Sequence, residues 1–494
     1  MTDKPLSADD LSVGIDLGTG SLKVTAVDSN GTVMAQSRAE YPTAYPKPGW
    51  AQQNPLDWAA ALQTAMHTLV SSGTVIPARI RAIGLCGMAH IPVLLDENCQ
   101  ATYPAILWND CRSGNEVEYL QENCGSTILQ RTSNKSGCTW TLPQLLWLRR
   151  NVPDAICRTK TFLTAKDFLV YLLTGKKTCD EGSAAATMLY DFNTDEWVDE
   201  LLEQTRLPPE VFPPVFKPNH IVGTTTADAT RFGFAAGTPV VLGCLDSVAE
   251  MLAAGMRNEN DSIVRLGSAG AVLSLHRDRN YTPGLLTYPF PYGNLAIKQA
   301  GTSHCGKSVN WSRDIFAGIE ERTLNEVSPC CNGLFFHPFL QGERAPYNNP
   351  DLRGSFIGIS AGHRREHFAK AVLEGVCFSI RDCFQFALGY QLTQGFTVLP
   401  EQIRVVGGGT RSPLWMSILA DVLGRTLLPL EEADSALGAA LFAAECIGMQ
   451  PVEKQNQPAA PVFPDSERMQ FYNTAFEKYK ELAVFLDNFY RKAK

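Results

Sequence analysis

Residues Ser12–Val33, SVGIDLGTGSLKVTAVDSNGTV, constrain this chain more than any other stretch. Val13, Ile15 and Leu17 alternate with other residues at the period of a half-buried strand. Gly18, Thr19, Gly20 and Ser21 offer only small or hydroxyl side chains. A second strand then runs from Leu22 to Val27, and Asn30-Gly31 marks a further hairpin. Asp16 ends the first strand, beside the glycine turn. The stretch lacks the GxxxxGK spelling of a P-loop. It also departs from a Rossmann turn, because Lys23 stands where the third glycine belongs and a strand follows where a helix should open. Two readings remain. One is an ordinary glycine hairpin with a surface Asp; the other is a turn whose N–H groups and hydroxyls face a phosphate, with a carboxylate placed for Mg2+.

The design recurs about 250 residues later. Residues 262–275, SIVRLGSAGAVLSL, are again strand, small-residue turn (Gly267-Ser268-Ala269-Gly270) and strand. A chance glycine hairpin need not recur, so two copies point to two similarly built halves facing one phosphate ligand. A chain of 494 residues exceeds one ordinary core, and two domains are expected, at 1–250 and 251–494.

Charge narrows the partners. With 43 basic against 51 acidic residues the net charge is −8, which argues against nucleic acid or an anionic membrane surface. No apolar run reaches the length of a membrane span. The polar opening MTDKPLSADD lacks the apolar core of a signal peptide, so a cytoplasmic protein is expected. The 14 cysteines include no CxxC pair and read as buried free thiols in a reducing compartment. The eight histidines show no HExxH, and no structural metal is expected.

Along the chain, Asn54 is a plausible cap and Pro55 a first residue for a helix through Trp58, Leu62 and Met66. Ile80–Leu85 reads as a strand, followed by the loop CGMAH with His90 at its edge, and then by a strand in IPVLLD. Ala105–Arg112, AILWNDCR, reads as a strand ending in Trp108, Asp110 and Arg112. That end is either a site for a hydroxyl-rich ligand or a surface Asp110–Arg112 pair. Gly114–Asn219 reads largely helical. Thr238–Leu245 is a buried strand, and Asp246 after it is either a helix cap or a well-placed catalytic base. Glu343 and Arg344 lie in a loop-rich stretch, and a helix follows from His367. Ile403–Val406 leads into Gly407-Gly408-Gly409-Thr410 and a helix opened by Pro413, which suits close approach of a base or phosphate. SALGAALFAAECIG is small enough in its side chains to pack closely. Residues 451–465 form a Pro/Gln-rich connector. The final helix, Glu467–Arg491, carries an apolar stripe (Met469, Tyr472, Phe476, Tyr479, Leu482, Phe485, Leu486, Phe489) suited to docking.

With these pieces in order the chain resembles the FGGY carbohydrate kinases, most closely their xylulokinase branch, from about Ser12 to Tyr490. The resemblance is carried by GIDLGTGSLK, PGWAQQNP, the GMAH loop, AILWNDCR, GCLD, LGSAG, FLQGERAPYNNPDLRG, GSFIGISAGHRREHFAKAVLE and VVGGGTRSPLWMSILADVLG. It implies an α/β fold of two actin-like (ribonuclease H-like) domains with ATP in the central cleft. It implies phosphorylation of a sugar hydroxyl, closest to that of a ketopentose such as D-xylulose. Other ketoses or polyols (ribulose, L-xylulose, glycerol, erythritol) and a non-enzymatic actin-like ATP sensor are the alternatives. By position, Asp246 matches the general base and Asp16 the magnesium-site aspartate. Gly18, Thr19, Gly20, Ser21 and Lys23 match the first phosphate loop, and Gly267 and Ser268 the second. Gly306, Gly408, Gly409 and Ser412 match the nucleotide side. Ala89, His90, Trp108, Asp110 and Ser247 fall on the sugar side. There the chain departs from the branch: GMAHI replaces GQMHG, Ser247 replaces an Asn, and Gln144 replaces a Lys. The implied partners are ATP, Mg2+ and a small sugar or polyol, with neither nucleic acid nor membrane; a homodimer is allowed.

Overall fold

The alternating stretches pair into two sheets of one topology. The structure, a computed structural model, describes residues 7, 9–393, 400–430, 433–449 and 460–492. The first sheet comprises β1 (Leu11–Leu17), β2 (Ser21–Val27), β3 (Val33–Glu40), β4 (Ile80–Gly87), β5 (Ile221–Thr224) and β6 (Pro239–Leu245), in the order β5-β6-β4-β1-β2-β3. The second comprises β7 (Ser262–Leu266), β8 (Gly270–His276), β9 (Leu286–Pro289), β10 (Ala296–Thr302), β11 (Gln402–Val406) and β12 (Thr426–Pro429), in the order β9-β10-β8-β7-β11-β12. Each contains an antiparallel meander, β1-β2-β3 or β7-β8-β10. Each then adds two parallel strands, β4 and β6 beside β1, or β11 and β12 beside β7. The repeated turn seen in the sequence is thus the first hairpin of a repeated sheet.

Helices follow where caps and patterning place them. α1 (Pro55–Ser71) is capped by Asn54, whose side chain accepts the Leu56 N–H, and packs Trp58, Leu62 and Met66 into the first core. α2 (Ala165–Thr174) and α3 (Asp246–Ala253) complete this half near the site. In the second half, α4 (Gly306–Ile315), α5 (Arg365–Thr393) and α6 (Pro413–Leu423) surround the sheet. α7 (Ser435–Cys446) comes late in the chain yet lies on the first sheet, against β1 and β4. Its small residues are what permit this. A Cβ on Gly14 would sit 1.9 Å from the Ala436 carbonyl oxygen, and one on Gly438 would sit 1.8 Å from that of Ala249 in α3. The helix wedges between β1 and α3, and Ser12 Oγ donates to Ala440 O at 2.8 Å to hold it there.

Three expectations need correction. Ala105–Arg112 is not a long strand: only Ala105–Ile106 is extended, paired with Gln52–Gln53. The chain then turns because Asp110 captures local donors. The last helix, α8 (Ser466–Lys492), buries Tyr472, Phe476, Tyr479 and Leu486, but leaves Phe485 and Phe489 64% and 56% exposed, off the packed stripe. All the cysteines are free, but Cys111 and Cys157 are exposed rather than buried. The connector expected at 451–465 lies mostly outside the described residues. Among the described residues no helix is long and apolar enough to cross a membrane.

Candidate active site

The first turn is built from a strand end and is propped from three directions. Gly18 N–H donates to Ser21 O at 3.1 Å, closing the turn. Tyr41 Oη donates to Gly18 O, Gln53 Nε2 donates to Thr19 O at 2.7 Å, and Trp108 Nε1 donates to Thr19 Oγ1 at 3.1 Å. Gln53 is itself aimed by Trp58, whose Nε1 donates to its amide oxygen at 2.9 Å. Asp16, in register with Lys23 across the hairpin, is buried just before the turn. Burial, and then the nearby Asp246, push its carboxyl up to about 7; Lys23 opposes this, Asp434 adds to it, and the Cys86 thiol opposes it again.

Asp246 is delivered by a deliberate irregularity. The β4–β6 register shifts between Val241 and Cys244, and Gly243 takes φ +78°, where a Cβ would meet the Leu85 carbonyl oxygen at 1.7 Å. Such a bulge re-aims the end of a strand. Lys166 of α2 staples it, donating to Leu242 O at 2.9 Å. This lysine is fully buried with Asp167 at 2.5 Å and Asp180 at 3.0 Å. Asp246 opens α3, half-buried, and accepts the Ser247 N–H at 2.6 Å. Burial raises its pKa, while Arg265 and the Ser247 N–H lower it and Glu250 raises it. Asp16, at the end of β1, thus feels the charge of Asp246 at the start of α3.

The second turn carries the nucleotide-side residues. Gly306 N–H donates to Gly267 O at 2.8 Å, and the Cys305 and Lys307 N–H groups donate to Ser268 O at 3.0 and 3.1 Å. These contacts seat the start of α4 on the turn. Gly267, Ser268, Gly306, Gly408, Gly409 and Ser412 line one cavity of about 500 Å³, together with Arg313, Arg411 and Trp415. Ser412 caps α6 through the Trp415 N–H and donates to Glu321 at 3.0 Å. Glu343 is buried beneath, accepting Thr302 Oγ1 and the Ser303 N–H at 2.6 Å each, so it shapes the strand that leads into α4.

On the sugar side the expected residues separate. His90, at φ +70°, joins both lobes: its Nδ1 is 2.8 Å from Ala186 O and its Nε2 is 3.1 Å from Tyr288 Oη. Since a carbonyl only accepts, Nδ1 carries the proton and Nε2 accepts from the tyrosine. Burial pulls the His90 pKa down to about 4, so the ring is neutral. Trp140 stands edge-on to it at 4.4 Å and stacks with Tyr288 at 5.9 Å. Ala89 flanks this wall, partly buried. Trp108 reaches the first turn instead, and Ser247 stays beside Asp246. Asp110 is buried, accepting the Ala51 N–H at 2.5 Å and Arg112 Nη2 at 2.7 Å, and its guanidinium partner lies over Trp50. The Asp110–Arg112 pair is real, but it is a core brace rather than a surface pair. Sequence reasoning missed Tyr41, Gln53, Tyr288, Arg265 and Asp434. Gln53 and Arg265 lay in stretches already marked, whereas Tyr41, Tyr288 and Asp434 act across long separations that leave no local pattern.

Similarity to known proteins bears on the family and the fold. Residues 11–253 match the N-terminal domain model of the FGGY family of carbohydrate kinases, and residues 293–445 match the C-terminal domain model. The chain is similar to a xylulose kinase of Bacillus subtilis, 30% identical over 95% of this chain and 96% of that one. It is similar too to a xylulose kinase of Lactococcus lactis, 32% identical over 88% of each. A solved xyloylose kinase structure from Brucella ovis covers 97% of this chain and 100% of its own, with a TM-score of 0.88 at 28% identity. The two repeated sheets are accordingly the actin-like, ribonuclease H-like α/β fold. This chain belongs to the FGGY family of carbohydrate kinases.

Proposed function

We propose that the chain transfers the γ-phosphoryl group of ATP to a hydroxyl of a ketopentose, D-xylulose being the acceptor its similarities favour, and that it works in the cytoplasm. The observation that carries this reading is the place of Asp246 between the two phosphate turns: its charge raises the pKa of Asp16 before the first turn, and Arg265 before the second lowers that of Asp246 itself. Transfer through a loose transition state needs positioning and charge neutralisation more than covalent help. The acceptor oxygen forms a bond to the γ-phosphorus as the bond to the bridging oxygen of ADP breaks. Asp246 accepts the hydroxyl proton as that bond forms. The turns at Gly18–Ser21 and Gly267–Gly270 supply N–H groups and hydroxyls to the phosphates. Gly408, Gly409 and Ser412 seat the nucleoside, while Ala89, the neutral His90 and the Trp140–Tyr288 stack wall the sugar side.

Mg2+ fits beside Asp16. That carboxyl is buried, its pKa is raised by burial and by neighbouring acids, and Lys23 and the Cys86 thiol only partly offset them. Among the described residues no three His, Cys, Asp or Glu side chains are grouped to hold a metal by themselves. Asp16 would be the protein carboxylate that holds the ion. When bound, the ion neutralises charge developing on the phosphates.

The test is ADP release over a panel of ketopentoses, pentitols and glycerol, with native protein and Asp246→Asn. We expect D-xylulose to give the highest kcat/KM, and Asp246→Asn to lose about 10³-fold or more of kcat while still binding ATP. A different preferred acceptor overturns the substrate, and near-native turnover in the variant overturns the base. No turnover with any member restores the sensor reading.

A further inference from the structure

Arg265 and Glu250 form an ion pair that the family-level reading leaves unexplained. Arg265 stands two residues before Gly267, as Asp16 stands two residues before Gly18. The two side chains thus take matching places on the paired hairpins, with opposite charge. Arg265 belongs to β7 of the second sheet, whereas Glu250 lies one turn beyond Asp246 on α3. The pair therefore bolts the strand feeding the second turn to the helix that opens with the base. Arg265 Nε is buried without a hydrogen-bond partner. The guanidinium is thus only partly spent on Glu250.

We propose that Arg265 is a positioning residue for phosphoryl transfer, which, held by Glu250, fixes α3 against the second phosphate turn and presents positive charge to Asp246.

The surroundings make this charge count. The charge of Asp246 reaches Asp16 on β1, Cys86 on β4, Cys244 on β6 and Tyr288 on β9, and Glu250 of its own helix raises its pKa. Each of these is acidic or neutral. Arg265 is the cation that lowers the Asp246 pKa, whereas Lys23 lowers that of Asp16. Burial drives Asp246 toward its protonated form, which cannot accept a proton from the sugar. Arg265 opposes that drive, and Glu250 adds to it. The two members of one salt bridge thus have opposite effects on the base.

This inference rests on Asp246 being the base, and its test separates the two. The pH profile of kcat/KM for the sugar is measured at saturating MgATP for native protein, Arg265→Gln, Arg265→Lys, Glu250→Gln and Asp246→Asn. Arg265→Gln should move the acid limb up by about half to one pH unit and Glu250→Gln should move it down, while Arg265→Lys should return it toward native. A brace with no electrostatic role would lower kcat in all three and leave the limb in place. If Asp246→Asn is inactive and neither glutamine variant moves the limb, or both move it the same way, this inference is overturned while the base survives. If Asp246→Asn turns over normally, the base assignment fails and this inference with it. Should Arg265→Gln not fold, the downward shift in Glu250→Gln decides the matter alone: its absence overturns the proposal.

Discussion

Lys166→Met should weaken the whole protein and do so in a pH-dependent way. Lys166 Nζ lies 2.5 Å from Asp167, 3.0 Å from Asp180 and 2.9 Å from the Leu242 carbonyl, all with almost no exposed surface. Burial works against its charge, but the two carboxylates more than offset this and hold its pKa above the usual lysine range. Removing the cation leaves two buried acids facing each other and a carbonyl unmet at the bulge. Breaking a buried pair from one side costs roughly 3–5 kcal/mol. At the entropy of unfolding typical per residue, a chain this long loses about 1 °C of Tm per kcal/mol, so a fall of about 3–5 °C is expected. The sign with pH follows from the acids left behind. Burial already raises the Asp167 pKa and Lys166 opposes it, so loss of the cation raises it further, and the folded state holds extra protons and gains stability as pH falls. The deficit should be largest near pH 8 and smaller near pH 5. Thermal unfolding at those two pH values measures it. A fall under 1 °C, or one that grows toward acid, would refute the reasoning. Because Lys166 staples the bulge that aims Asp246, kcat should drop further than stability alone accounts for.

Other outcomes follow from single contacts. Gly14→Ala puts a methyl group 1.9 Å from the Ala436 carbonyl oxygen, so α7 must shift, at a cost of about 1–3 kcal/mol; Gly114→Ala, with nothing within 4 Å, is the control and should be neutral in the same melt. Tyr41→Phe removes the donor to Gly18 O and should raise KM for ATP several-fold, with about 1 kcal/mol or less of stability lost; an unchanged KM would mean the turn needs no prop. Asp16 titrates near 7, so below that pH a proton competes with Mg2+, and the Mg2+ needed for half-maximal ADP release should rise between pH 8 and pH 6. The same shift predicts that Asp16→Asn stabilises the ligand-free protein at pH 8, where the native carboxylate is buried and charged, and much less at pH 5.5. Equal melting gains at both pH values would show that the Asp16 shift is absent.

The parts legible in the sequence were those governed by neighbours along the chain. Period-two alternation and small-residue turns marked both hairpins, because a strand's faces and a turn's φ angles are local matters. Asn54, Pro55 and the strand–glycine–helix run at 403–413 announced their elements for the same reason. Asp246 was visible as an acid at a strand end, and the order of the pieces named the family. Tertiary structure decided what those acids feel. It placed Arg265 and Glu250 about Asp246, brought Tyr288 from the second sheet onto His90, and laid α7 on Gly14. It also took Asp110 and Arg112, which read from their neighbours as either a ligand site or a surface pair, into the core as a buried brace. Burial and the effects of neighbouring charges depend on groups that meet only when the sheets pack, from positions such as 16, 86, 246, 265 and 434. No window along the chain contains them together.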